Sequence, residues 1–190
     1  MATAHISIFI MTDSVNIVHW NCQGFNAHGP EYIWSLSGQK PDIICLQETF
    51  FRNEKDHPDI TGFILANFST RNIKRGGTAI YCKNHINYTV RNIDTLLEVS
   101  AIDMKLNNKL TTIVNIYDTD TKTTQSEYQK IFTQISDQYV VCGDFTNEMI
   151  HLLTRSPLFL GPLIYLSHLP WNILYPIRQN LFTAVSLYLI

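Results

Sequence analysis

Charge divides this sequence in two, and the division decides which part can make an ordinary folded domain. Of its 30 Asp, Glu, Lys and Arg residues, 28 lie in positions 1–148. Beyond Glu148 only Arg155 and Arg178 remain, with no carboxylate side chain over 42 residues. A domain that stays in solution needs a charged surface. We therefore expect a folded unit at 15–148, an N-terminal extension at 1–14 and a divergent apolar tail at 149–190. Pro157, Pro162, Pro170 and Pro176 interrupt the tail too often for a membrane-spanning helix of roughly 20 apolar residues. Its last apolar run, Leu181–Ile190, has ten residues and includes Thr183 and Ser186. No membrane contact is expected. The tail reads as foreign to the domain before it; the alternative is an ordinary buried C-terminal segment.

The remaining composition narrows the compartment and the partners. The apolar patch Ile6–Met11 lacks a basic leader and is followed by Asp13, which makes a poor signal peptide. Cys22, Cys45, Cys82 and Cys142 form no CxxC pair and lie in or beside short apolar runs. They read as reduced, buried thiols rather than zinc ligands, which points to an intracellular protein, nuclear or cytoplasmic and not secreted. The sequons Asn67-Phe-Ser69 and Asn87-Tyr-Thr89 match a pattern common by chance. A net charge of -2 excludes the global basic field of a general nucleic-acid binder. Any such contact must be local, through a loop or a bound cation.

Within 15–148 the pattern is mostly strand and turn. Val15–Trp20 and Ile43–Leu46 are short apolar runs of strand type. Gly29–Ser37 is long enough for a brief helix between them. Gly62–Phe68 and Thr78–Cys82 read as a strand pair around the loop Ser69–Gly77, and Tyr88–Ile93 as a further strand. Val99–Leu106 alternates apolar with polar residues, Asn107-Asn108 suits the positive φ of a tight turn, and Leu110–Tyr117 returns as the partner strand. Thr124-Gln-Ser-Glu127 has the form of a capping box. It opens a helix whose stripe is Tyr128, Ile131, Phe132 and Ile135. Tyr139–Cys142 is a last buried strand before Gly143-Asp144. Many strands with few helices predict an α/β fold of α+β type, with mixed sheets and helices packed outside.

Polar residues close several of these runs. Asn21 follows the first strand, Glu48 the second, Tyr117 ends a third and Asp144 a fourth. A carboxylate at the end of an apolar run is costly unless it meets a cation or hydrogen bonds. Glu48 and Asp144 together suit a hard divalent ion, which takes oxygen ligands and keeps waters. Taken singly, Glu48 also reads as a helix-start acid and Asp144 as a turn former.

Four strings carry a resemblance: Ile17-Val-His-Trp-Asn-Cys-Gln-Gly24, Lys40-Pro-Asp-Ile-Ile-Cys-Leu-Gln-Glu-Thr49, Arg75-Gly-Gly-Thr-Ala-Ile80 and Val140-Val-Cys-Gly-Asp-Phe145. In this order the chain resembles the endonuclease/exonuclease/phosphatase family, and more narrowly the endonuclease domain of non-LTR, LINE-type retrotransposon polyproteins. The resemblance implies a four-layer sandwich of two mixed β-sheets flanked by helices. It implies hydrolysis of a phosphodiester in DNA with Mg²⁺ or Mn²⁺ and no small-molecule cofactor, and a parent polyprotein that carries a reverse transcriptase. By position, Glu48 matches the family's metal ligand and Asn21 the Asn beside it. Asp144 matches the Asp that orients the attacking water, and Tyr117 a Tyr that contacts the phosphate. Gly76-Gly77 matches a structural strand turn. Arg71, Lys74 and Arg75, with Arg52 and Lys55 nearby, supply local positive charge for DNA phosphates.

The chain departs from the family in three places. Thr146 stands where the family has Asn, and Asp-Thr-Asp-Thr follows Tyr117 in place of a Pro-rich loop. The family's closing Ser-Asp-His is missing; Ser167-His168 echoes it without the Asp. A second sheet that is incomplete and a site of impaired activity are therefore expected. The alternatives are a catalytically dead remnant that binds nucleic acid or protein, and a same-fold phosphatase or abasic-site nuclease.

Overall fold

The computed structural model describes residues 6–10, 15–25, 40–70, 76–118 and 123–144. Among these described residues nine strands form two sheets. The first holds β1 (Ile6–Ile10), β2 (Asn16–Asn21), β3 (Ile43–Gln47), β4 (Phe63–Ser69) and β5 (Thr78–Lys83), in the order β1-β2-β3-β5-β4. The second runs β6-β7-β8-β9: β6 (Thr89–Val90), β7 (Glu98–Leu106), β8 (Lys109–Tyr117) and β9 (Gln138–Asp144). Each sheet has one parallel pair, β2/β3 and β8/β9, among antiparallel neighbours. Both sheets are thus mixed, as the strand pattern predicts. The apolar patch at Ile6–Ile10 pairs antiparallel with β2 as the outermost strand.

Period-two alternation explains how nine short runs bury so much. On β3, Ile43 and Cys45 join the core between the sheets, while Ile44 and Leu46 join a second cluster on the opposite face. The inter-sheet core meets Ile17, Ile80 and Cys82 of the first sheet with Ile102, Met104, Ile113, Val140 and Cys142 of the second. Outside the first sheet lie Phe25, Phe51 and Ile60, packed on Val18, Trp20 and Tyr81. The outer face of the second sheet is covered by α1 (Gln125–Phe132), whose Tyr128 and Ile131 sit on Ala101, Val114, Ile116 and Val141. All four cysteines are buried free thiols, as read from their surroundings. The helix expected at 29–37 and the tail at 149–190 lie outside the described residues.

Two local expectations need correction. The helix starts where predicted, with Thr124 as its cap residue, but the reciprocal side-chain bonds of a capping box are absent. Thr124 Oγ1 contacts Ser126 Oγ at 2.7 Å, and the Glu127 N–H donates to the Thr124 carbonyl at 3.1 Å. A neighbouring hydroxyl has outcompeted the backbone amide for the capping oxygen. The strand expected over Tyr88–Ile93 shortens to Thr89–Val90. Elsewhere the turn signals hold: Asn107 and Asn108 carry φ of 53° and 60° between β7 and β8. Asn67 is not a glycan acceptor in this fold, because its amide donates across the sheets to the Ala101 carbonyl at 2.8 Å. Among the described residues no helix is long and apolar enough to cross a membrane.

Candidate active site

Both parallel pairs end at the same edge of the sandwich. Asn115 on β8 meets Leu46 and Gln47 on β3, so the carboxyl ends of β2, β3, β8 and β9 lie together there. The buried residues change character along this direction. Between the sheets Ile17, Ile43, Ile80, Ile102 and Ile113 are apolar. Further along the same strands come buried His19, Gln47, Thr78, Ser100 and Asn115. A polar cluster of this kind in a core is costly unless its groups are hydrogen-bonded.

Asn21 closes β2 in register with Gln47, the last residue of β3. Glu48 follows directly in a left-handed conformation, φ 52°. The turn brings its carboxylate to the Asn21 amide: Asn21 Nδ2 donates to Glu48 Oε1 at 2.7 Å, half-buried. The β2–β3 pairing continues beyond the strands, with the Gly24 N–H donating to the Glu48 carbonyl at 2.7 Å. On the facing sheet, Tyr117 ends β8 in register with Asp144, which ends β9. The structure therefore brings Asn21 and Glu48 together by a direct bond and Tyr117 and Asp144 together by strand pairing. The Asp144 side chain, and Arg71, Lys74 and Arg75 with all their surroundings, lie outside the described residues, as do Thr146 and His168. Arg52, just before the 3-10 turn Glu54–Asp56, and Lys55, within it, are exposed.

Gly76 and Gly77 close the edge between the sheets. Both have positive φ, 97° and 91°. The Gly77 N–H donates to the Glu98 carboxylate, and a Cβ at Gly76 would fall 2.5 Å from Glu98 Oε1. Glu98 is buried and in register with Tyr117. This close approach, rather than chemistry, explains the glycine pair. Sequence reasoning assigned no role to Gln47, Glu98 or Asn115. A polar residue inside an apolar strand run, as in Leu46-Gln47 and Val114-Asn115-Ile116, is the signal that marks two of them.

Nearby groups that carry protons are poor nucleophiles. Burial pushes the Cys22 thiol up to about 12, and it bonds to the Gln47 carbonyl at 3.0 Å. His57 is pushed the other way, to about 4, chiefly by burial. It stacks against Phe51 and Phe68, at ring-centre distances of 4.2 and 4.6 Å.

The sequence matches the model of the endonuclease/exonuclease/phosphatase family over residues 18–181. The chain belongs to this family. No curated protein matches the sequence. Solved structures do share its fold. The human Nocturnin catalytic domain aligns with a TM-score of 0.54 at 14% identity, over 80% of this chain and 73% of that one. The endonuclease domain of TRAS1, a telomere-specific non-LTR retrotransposon, aligns with a TM-score of 0.51 at 17% identity, over 69% and 58%. An AP endonuclease from Archaeoglobus fulgidus gives 0.49 at 22% identity, over 69% and 57%. The chain thus spans under three-fifths of the latter two structures.

The residues at the edge fit a divalent cation of the hard type. The donor in place is an oxygen, the Glu48 carboxylate held by the Asn21 amide. Among the described residues no group of three or more His, Cys, Asp and Glu converges.

Proposed function

We propose that this chain carries the metal-dependent phosphodiesterase site of a DNA-nicking endonuclease of the mobile-element type. The observation that carries the reading is the 2.7 Å bond between Asn21 and Glu48 at the carboxyl end of the β2/β3 pair. It supports a carboxylate already oriented by an amide, opposite the Tyr117/Asp144 pair of the second sheet. The four sequence blocks support the mobile-element assignment and DNA as the partner.

When bound, Mg²⁺ or Mn²⁺ neutralises the anionic phosphodiester and stabilises charge on the leaving oxygen. Glu48 is the residue that would hold it, and Asn21 fixes the rotamer of that carboxylate. Tyr117 would donate its hydroxyl to a phosphate oxygen, and Asp144 would accept a hydrogen bond from the attacking water. Arg71, Lys74 and Arg75 would contact the DNA backbone without reading sequence. The chain has no Ser-Asp-His, so turnover should be slow. A positioned base is worth about 10²–10⁴-fold.

The test uses supercoiled plasmid and thermal unfolding of the full chain. Mg²⁺ or Mn²⁺ at a hundred times Kd should stabilise the fold by about 2.7 kcal/mol, and slow nicking should require the same ion. Both responses should vanish in Glu48→Ala, and nicking alone in Asp144→Asn. A wild-type chain whose unfolding ignores both ions, with no nicking, would leave a remnant that at most binds nucleic acid or protein.

A further inference from the structure

Two amides lie wholly buried in the seam between the sheets, Gln47 on β3 and Asn115 on β8. Asn115 Nδ2 donates to the backbone carbonyls of Leu46 at 2.9 Å and Ala79 at 3.1 Å, on β3 and β5. Its Oδ1 accepts from Gln47 Nε2 at 2.5 Å. One side chain of the second sheet thus grips two strands of the first. Apolar contacts would fill this volume and stabilise it as well, but they are non-directional and tolerate sliding. Hydrogen bonds fix distance and angle, so these three bonds of Asn115 favour one arrangement of the facing strands.

The position of the pair gives that rigidity a use. Gln47 is in register with Asn21 and immediately precedes Glu48. Asn115 is two residues before Tyr117 and in register with Cys142, itself two before Asp144. We infer that Gln47 and Asn115 are positioning residues that set the half-site Asn21/Glu48 against the half-site Tyr117/Asp144. The role rests on the metal-dependent reading above. It adds that metal affinity depends on a bond whose atoms lie in neither half-site.

The experiment measures the apparent Kd of Mn²⁺ from the dependence of the unfolding midpoint on its concentration. It uses the full chain as wild type, Gln47→Met, Asn115→Leu and the double variant. Loss of stability alone lowers the metal-free midpoint and leaves the native-state Kd unchanged. Each single substitution is expected to weaken Mn²⁺ by about 10-fold or more, the scale seen when a group supporting a metal ligand is lost. The double variant should be no weaker than the worse single one, because both remove the same bond. Gln47→Met keeps both Asn115 bonds to backbone and therefore decides the matter if Asn115→Leu fails to fold. Wild-type Mn²⁺ affinity in Gln47→Met overturns the positioning role. A wild-type chain with no Mn²⁺ response instead overturns the reading beneath it.

Discussion

Glu48 holds a backbone conformation that L-residues avoid, at a cost of order 1–3 kcal/mol. It is not isolated: Gln23, Gly24, Phe50, Gly76 and Gly77 also have positive φ, all at this edge of the first sheet. Strain of this kind persists where surrounding bonds over-determine the backbone, and here they are the Gly24–Glu48 and Phe50–Gly76 backbone bonds. The Asn21 amide then fixes the carboxylate itself. Asn21→Ala should therefore weaken Mn²⁺ by about 10–100-fold, with Glu48 still present, in the same midpoint titration. His57 offers an independent check at this scale. Its ordinary value of 6.5 falls to about 4 because burial among aromatic rings penalises the imidazolium. The neutral ring is thus favoured in the fold, and its contribution is complete above pH 6.5. Lowering pH from 6.5 toward 4 protonates the unfolded chain first and removes that contribution, on the order of 2 kcal/mol after solvent screening. His57→Phe should flatten urea midpoints between pH 6.5 and 4. An unchanged slope would show that His57 is solvated.

Elements with strong local signals were the legible part of the sequence. Apolar alternation placed a strand at Val99–Leu106 and the Asn107-Asn108 turn its partner at Leu110–Tyr117; in the fold each begins one residue earlier, at Glu98 and Lys109. The α1 stripe was equally plain, since Tyr128 and Ile131 recur at helical spacing and both are buried. What anchors α1 was not legible. Asp118 follows β8 at a point where the family departs in sequence, yet it is 3% exposed. Thr123 Oγ1 donates to one of its oxygens at 2.8 Å and the Tyr128 hydroxyl to the other. The contact joins residues five and ten apart in sequence, so no period in the sequence reports it. It also ties the end of β8, and with it Tyr117, to the covering helix. Tyr128→Phe removes one charge-assisted bond and should cost about 1.5–3 kcal/mol, read by urea unfolding. A loss under about 0.5 kcal/mol would mean that the hydroxyl is not buried against Asp118.

At the scale of the molecule, two sheets are joined by an apolar end and a polar end, and each end answers to a different requirement. Strand-end polar residues pointed to the site edge because a half-buried amide and carboxylate persist there only where hydrogen bonds or a cation meet them. Which strands face each other across the seam was not readable, because inter-sheet pairing has no sequence period. Only the fold sets Asn115 against Leu46, Ala79 and Gln47. The apolar end should supply most of the stability. Ile80 and Ile102 are wholly buried in the same inter-sheet cluster, from opposite sheets. Either truncation to Ala should cost about 2–5 kcal/mol by lost transfer energy and the cavity left behind. Because both line one packed volume, the double variant should fall short of the sum by about 0.5 kcal/mol or more. Strict additivity in urea unfolding would mean that the two isoleucines do not share a cavity, and that the sheets pack through separate patches instead. The amide pair should respond in the opposite way, moving Mn²⁺ affinity more than it moves the fold. That contrast separates what holds the sheets together from what aligns them.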